Sequence, residues 1–554
     1  MIKKHTYIIE YFIYFTISLL WYGNQFVHWN GNYLDTDNYM HALRLMDALS
    51  NTYWFEHIFP YTNYPFGEVL HWTRALDIFM LITALPFLAY FPLRLAVFYG
   101  GLLICPIFFL LAIFYLLKAG RLLMGAKYRF FAAILFIIQA NVMRVVVLNR
   151  PDHHAAFVFL SAFIFYKLVK FAYKGKLKDI TSAALMAAFA LWMAAEGLLL
   201  FIAAVIFLYY GTGFLKYPYK ILVHFCTIYS LAITFFFIIN PPYEGYLFMD
   251  SGRLSLFYIE AAFWLTLIIA FAGRISSLIK QCLFIAGGCL ILLLIYYFSG
   301  VLISPLDERI ITPFIARINE MKQGDIYTLA YPTVGLILGT LLIKKHYQDG
   351  AFIYLFFSLA LYGILSAFSN RFLPYSGMYA AIMMAFFLYD RAKNNQKTLG
   401  YLILFVLLEP FAFTIHAFTT QLKPEPLIYI PTQQMQNLPQ GTVATDIFLS
   451  PYFLWYTQRP TIASPYHRNV EGIVDNHDIF FSTDEQKVKD LIKKHQVHTI
   501  YLYGYRENDD YYINPEKNCD KLYGKILGCR NYPDWLKIIN TQGYYLFEVD
   551  YDKL

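Results

Sequence analysis

The chain is poor in charge and in cysteine. Only 15% of its 554 residues are Asp, Glu, Lys or Arg, against about a quarter in ordinary soluble domains, while 58% are apolar. This composition excludes a set of soluble globular domains, and it excludes disorder and a charged coiled coil as well. Six cysteines are too few for a disulfide scaffold, and four of them, Cys105, Cys226, Cys282 and Cys289, sit inside apolar runs as small hydrophobes. No CxxC pair, Walker A loop, HExxH or GxSxG sequence occurs, so a zinc ribbon, an ATP-driven pump, a zincin and an α/β-hydrolase have no support. The formal net charge of +7 is not a nucleic-acid signature, because the basic residues fall between apolar runs.

What the chain does have is apolar stretches of the roughly 20 residues needed to cross about 30 Å of hydrocarbon. They lie near 6–22, 96–117, 129–148, 155–173, 180–195, 197–212, 221–239, 256–273, 281–300, 326–343, 351–368, 373–389 and 398–418. This predicts a polytopic α-helical membrane protein of about 13 transmembrane helices. The first run lacks a small-residue cleavage site after it and reads as a retained span. The stretch 78–92 is shorter, carries Pro86 and is followed by Arg94, so it reads as re-entrant or interfacial. Charge tests the count. Lys3/Lys4, Lys118/Arg121/Lys127/Arg129, Lys170/Lys174/Lys176/Lys178, Lys216/Lys220, Arg274/Lys280, Lys344/Lys345 and Arg391/Lys393/Lys397 all fall on one side of such a chain, and Asp35, Asp37, Asp77, Asp152, Glu196, Glu244, Asp250, Asp307 and Glu320 on the other. Basic loops stay cytoplasmic, so the acidic side is external.

The domains expected are 1–418, with long first (23–95) and fifth (301–325) external loops, and a soluble α/β domain over 419–554 on the external, periplasmic side. In the latter, Thr483-Asp-Glu-Gln486 reads as a capping box opening a helix through Lys494. Thr499–Tyr503 and Tyr544–Val549 read as strands. An oxidising exterior would permit a Cys519–Cys529 disulfide.

The external loops hold the chemistry. Asp35 and Asp37 either present two carboxylates to a hard divalent cation or cap the helix starting near Tyr39. Asn149-Arg150-Pro151-Asp152-His153-His154, between two apolar runs, offers carboxylate and imidazole ligands of the kind that suit Mn2+, Mg2+ or Zn2+, or else an N-cap followed by interfacial histidines. Glu320 is a candidate acid in the fifth loop or an ordinary solvated one. Arg371 lies at the outer end of a span, where it fits a lipid phosphate or a snorkelling anchor. Tyr466, His467 and Arg468 shape an acceptor or glycan pocket, or belong to the core and loops of the C-terminal domain. The spans themselves hold few ionisable residues, which speaks against a transporter of lipid-linked glycans.

These features together resemble the catalytic subunit of oligosaccharyltransferase, of the single-subunit bacterial and archaeal kind with the GT-C fold. Asp37-Asn-Tyr39 resembles that family's first-loop aspartate motif, Asp152-His153-His154 its second acidic motif, Ile318-Asn-Glu320 its fifth-loop glutamate segment, and Arg371 its lipid-pyrophosphate arginine. The family's Trp-Trp-Asp signature, which reads the acceptor, is absent after Phe418, and the nearest stretches are Leu449–Tyr456 and Ala463–Asn469. The resemblance implies a metal-dependent glycosyltransferase of the cytoplasmic (inner) membrane. It would move a glycan from a polyprenyl-(pyro)phosphate donor to a protein acceptor at the outer face. Asp37, Asp152 and His154 would hold Mn2+ or Mg2+, Asp37 and Glu320 would engage the acceptor, Arg371 would bind the donor phosphate, and Asp35 and His153 would support them. The missing signature leaves open a lipid or cell-envelope glycan as the acceptor.

Overall fold

Hydrocarbon offers no partner to a backbone N–H or C=O, so an apolar chain crossing it must satisfy these groups within a helix. A computed structural model describes residues 2–50, 58–302, 307–394, 398–408, 429–503 and 511–554. Each of the thirteen expected spans contains a helix. Seven helices among the described residues are long and apolar enough to cross a membrane: Leu93–Ala126, His153–Lys174, Gly197–Phe214, Tyr219–Ile239, Leu278–Phe298, Gly350–Phe368 and Asn370–Lys393. Shorter apolar helices are Ala75–Leu88, Tyr128–Ile137, Leu256–Ala272 and Leu399–Leu408. The protein is a helical membrane protein. The expected span 129–148 departs from its reading, because its helix stops at Ile137 and the chain runs irregularly to Asp152 apart from the turn Ala140–Met143. Positions 409–418 of the last expected span lie outside the described residues.

The chain divides into two compact units. One comprises Met1–Asn32, Trp72–Ser304 and Glu320–Lys423, and the other Tyr33–His71, Pro305–Asn319 and Pro424–Leu554.

In the first unit small residues set the packing. Helix Leu177–Met193 buries Ala183, Ala184, Ala187, Ala188 and Ala190, which lets neighbouring backbones approach closely where lipid supplies no hydrophobic drive between helices. Gly100 passes so near Ala84 that a Cβ there would fall 2.6 Å from the Ala84 nitrogen. Gly125, at φ +77°, breaks the helix between Ala126 and the preceding turn in a conformation that glycine adopts without a steric penalty. On the basic side Asp349 caps Gly350–Phe368 by accepting from the Ala351 N–H, and Lys170 pairs with buried Asp179 at 2.9 Å.

The second unit is α/β. A two-stranded antiparallel ribbon, β1 (Ile58–Phe59) and β2 (Glu68–Val69), comes from the first long loop. The main sheet has β3 (Thr442–Ala444), β4 (Val497–Tyr503), β5 (Leu536–Asn540) and β6 (Tyr544–Val549) in the order β3-β4-β6-β5, with β3 parallel to β4 and the other pairs antiparallel. Successive residues of a strand point to opposite faces. Accordingly Ile500, Leu502 and Phe547 pack with Ile479, Ile492 and Trp535, while Tyr501 and Leu546 pack with Phe453 and Met435. Both faces are covered, which explains why β4 is apolar without strict alternation. Cys519 and Cys529 form a disulfide.

Helix Glu485–Lys494 forms as expected and buries Val488, Leu491 and Ile492 on one stripe. Its cap is Asp484 rather than Thr483. The Asp484 carboxylate accepts from the N–H groups of Gln486 and Lys487 at 3.0 and 3.2 Å, because Asp484 and not Thr483 is the residue whose extended backbone directly precedes the first helical turn. Asp484→Ala is expected to weaken this helix by about 1 kcal/mol and to raise amide exchange over residues 485–488, whereas Thr483→Ala leaves it unchanged. Hydrogen–deuterium exchange mass spectrometry checks both.

Candidate active site

The irregular segment 138–152 is held by its own side chains and by others from distant parts of the first unit. The Gln139 side chain caps the turn Ala140–Met143 through the Val142 N–H at 3.0 Å. Tyr22 donates to the Val146 carbonyl at 2.7 Å, the Leu148 N–H donates to Gln25 at 2.8 Å, and the Asn149 amide donates to the Asn32 carbonyl at 3.0 Å. Pro151 fixes φ and contributes no N–H. The chain therefore delivers Arg150 and Asp152 to a defined place at the start of helix His153–Lys174.

Asp152 occupies the N-cap position, yet its carboxylate caps nothing. It turns to His153, whose Nδ1 lies 2.6 Å from Oδ1, and to Arg150 at 3.3 Å. Burial works against ionisation of Asp152, but the two histidines and Arg150 prevail and hold its carboxyl well below the usual range. The His154 ring is buried between two partners, with Nδ1 2.8 Å from the Tyr375 hydroxyl and Nε2 3.3 Å from Glu320 Oε2. Arg150 donates to the other Glu320 oxygen at 2.9 Å. Glu320 is thus no free solvated acid. Burial again opposes its charge, and His154 and Arg150 overcome this and hold it low. The turn carrying it is tied to the start of helix Asn370–Lys393, where Ser369 donates to the Glu320 carbonyl at 2.8 Å and the Asn370 N–H to the Lys322 carbonyl at 2.9 Å.

Arg371 completes the constellation. It forms an ion pair with Glu196 and reaches His153 Nε2 at 3.4 Å. Burial raises the cost of charging Glu196, and Arg371 more than offsets it, so this carboxyl also sits below its ordinary value. The network holds the carboxylates of Asp152, Glu196 and Glu320 against the guanidiniums of Arg150 and Arg371. Its donor set suits a divalent cation: carboxylate oxygens lie beside an imidazole whose Nδ1 is engaged by Tyr375, which orients Nε2 as a ligand nitrogen must be. Of the residues proposed from sequence, Asp152, His153, His154, Glu320 and Arg371 come together here. Arg150 and Glu196 belong with them, although nothing in their local sequence marks either as a partner of Glu320 or Arg371.

Asp35, Asp37, Tyr466, His467 and Arg468 lie in the second unit. The two aspartates divide the roles suggested for them. Asp35 accepts from the Asn38 N–H at 3.3 Å and the Asn38 amide at 2.7 Å, as a cap for helix Thr36–Ser50. Asp37, in the first helical turn, accepts from the Tyr466 hydroxyl at 3.0 Å. Tyr39 is buried behind it, among Tyr452, Trp455 and Tyr456, with its hydroxyl 2.9 Å from that of Tyr456. His467 has its ring 4.8 Å from His71. Arg468 follows it, half-buried.

The loop carrying Tyr466 is fastened by Glu68 of β2, a residue with no flag in the sequence. Ser464 donates to Glu68 at 2.7 Å and Asn469 at 2.8 Å, so a single carboxylate holds both ends of Ser464–Asn469. Glu68 is 3% exposed, and burial pushes its carboxyl up to about 7 against the lowering pull of these donors.

No family model and no curated protein matches the chain in sequence. Solved structures do match. The fold is the GT-C fold of the oligosaccharyltransferases. The archaeal oligosaccharyltransferase AglB from Archaeoglobus fulgidus, tethered to an acceptor peptide containing the NVT sequon, is 15% identical with a TM-score of 0.67 over 100% of this chain and 75% of that one. The same enzyme in complex with an inhibitory peptide and a dolichol-phosphate gives 15% and 0.66 over 90% and 70% of the chains, and in complex with Zn and sulfate 14% and 0.64 over 89% and 68%.

Glu68 makes stability depend on pH. Its folded value of about 7 exceeds the ordinary 4.5, so across that window the folded state binds more protons than the unfolded state and stability falls as pH rises. Glu68→Gln keeps the hydrogen-bonding shape without the charge. It is expected to match the wild type in thermal unfolding at pH 4.5 and to exceed it at pH 8, by up to about 3 kcal/mol.

Proposed function

We propose that the protein is a membrane glycosyltransferase that takes a glycan from a polyprenyl-(pyro)phosphate donor and places it on a protein acceptor at the outer face of the cytoplasmic membrane. The observation that carries this reading is the buried network in which Glu196 aims Arg371 and His154, Arg150 and Asp152 gather around Glu320, on this fold. Cleaving the sugar–phosphate bond leaves charge on the departing phosphate. Arg371 offers a planar fork of donors to such an oxygen pair, and its pairing with Glu196 fixes the direction of that fork. Asp152 and His154 are the groups that would hold Mn2+ or Mg2+, with Asp37 added on the resemblance alone; the ion would supply Lewis-acid stabilisation of the phosphate oxygens. Glu320, kept ionised by its neighbours, accepts a hydrogen bond from the attacking group of the acceptor, and Asp37 shares that role in the resembled family. The lipid-borne donor enters from the bilayer, which agrees with the lack of a nucleotide-binding sequence. The AglB structures with dolichol-phosphate and with a sequon peptide support this donor and acceptor class for the present chain.

A second reading keeps the donor and changes the acceptor to a lipid or cell-envelope glycan. It is favoured by the segment nearest the missing acceptor signature, Ser450–Thr457, which is a helix with Tyr452, Phe453, Leu454 and Trp455 all buried.

Asp152→Asn, Glu320→Gln and Arg371→Ala are each expected to lower transfer at least about a hundredfold at unchanged membrane expression. Chelation should abolish activity, and Mn2+ or Mg2+ should restore it. The assay is glycopeptide mass spectrometry, on reconstituted protein with a polyprenyl-pyrophosphate glycan and an Asn-X-Thr peptide and on exported proteins of a deletion strain with its complemented parent. Full activity in these variants removes the site. Peptides without glycan in the parent, with envelope lipids that lose a sugar on deletion, establish the second reading.

A further inference from the structure

A groove lies far along the chain from the site just described, between the first turns of helix Tyr219–Ile239 and the end of helix Leu256–Ala272. It holds about 550 Å³, in the range of small-ligand clefts. Lys220 and Arg274 line it, and both are exposed. Arg274 lies over the Phe271 ring at 5.1 Å, which directs its guanidinium. His224 is on the same wall with its Nε2 engaged by Thr181 at 2.9 Å, which leaves Nδ1 as its remaining polar atom, and Thr227, one turn further on, donates its hydroxyl to the Val223 carbonyl at 2.9 Å. No carboxylate lines the groove among the described residues. The remaining wall is apolar, from Val223, Ala270 and the ring of Tyr219, which lies so close on Gly273 that a Cβ there would meet it at 2.6 Å.

Two cations, the His224 imidazole and an apolar floor match an anion that carries hydrocarbon. The charge pattern of the loops puts 216–220 and 274–280 together on the basic, cytoplasmic side, where anionic lipid headgroups are concentrated. We propose that this groove binds the phosphate of an anionic membrane lipid. Its occupant is a bilayer lipid, distinct from the glycan donor, and the site anchors the Tyr219–Ala272 helix pair at the membrane boundary.

The test uses the purified full chain, with native mass spectrometry to count retained lipid and thermal unfolding to measure its effect. Phosphatidylglycerol is expected to be retained and to raise the melting temperature, and phosphatidylcholine is not. Lys220→Gln/Arg274→Gln should cut phosphatidylglycerol retention by at least about tenfold, since each cation near a membrane surface contributes about a fivefold step of charge attraction. Thr227→Trp, which fills the groove and leaves both charges, should do the same. Lys344→Gln/Lys393→Gln, two exposed residues from the same basic side, should change nothing. Equal loss from both charge pairs, or full retention in Thr227→Trp, overturns the proposal. Protection by inorganic phosphate equal to that of the lipid also overturns it, as a free-anion site.

Discussion

A charge taken out of water must find its counter-charge inside the protein, and the first unit is organised around that requirement. Asp152, Glu196 and Glu320 are buried or half-buried, and each has a guanidinium within ion-pairing reach. Stripping one partner from such a pair typically costs about 3–5 kcal/mol, because the group left behind stays desolvated. The surrounding sequence serves the same end. Gln139, Tyr22, Gln25 and Asn149 fasten a segment that gives up its helix after Ile137, and only a non-helical backbone can turn Arg150 back toward Glu320. Irregular backbone needs partners from the protein around it, and these fastening bonds come from within the unit.

The second unit applies the same physics with a different sign. Glu68 meets hydroxyl and amide donors in place of a cation, and neutral donors do not fully offset the cost of burying its charge. Its carboxyl therefore favours the proton, while Asp152 and Glu320 favour ionisation. That contrast separates two uses of a buried acid. Glu68 holds a loop in place as a carboxyl that favours its proton, and the carboxylates around Arg150 stay ionised in their pairs. The loop that Glu68 holds presents Tyr466 to Asp37, so the position of Asp37 depends on residues from both ends of this unit.

The functional reading rests on this difference in electrostatics more than on the fold. A GT-C fold at 15% identity to AglB leaves substrate and acceptor undefined. A guanidinium held by Glu196 and an imidazole held by Tyr375 are the contacts on which the proposed chemistry rests. The acceptor side is less constrained, since the aromatic helix Ser450–Thr457 is occupied in packing around Tyr39.

Much of this was legible in the residues alone. Thirteen apolar runs and alternating loop charge define a helical membrane domain, since hydrophobic length and Lys/Arg placement are local properties that no partner can override. Asp152 and His154 were visible because two metal-ligating types two residues apart form a local pattern, and β4 and β6 because apolar, β-branched and aromatic runs carry their own preference. The capping pattern at Thr483 points one residue short of the true cap, Asp484, because neighbouring Thr and Asp are both good caps and the backbone torsions decide between them. Arg150, Glu196 and Glu68 were invisible as site residues. Arg150 meets Glu320 across 170 positions and Glu68 meets Ser464 across 396, and a single sequence carries no record of such distances. The sequence by itself determined that the chain is a helical membrane protein and which residue types stand between its apolar runs; tertiary structure decided which of those charges are buried together, because desolvation and pairing exist only once the chain has closed around them.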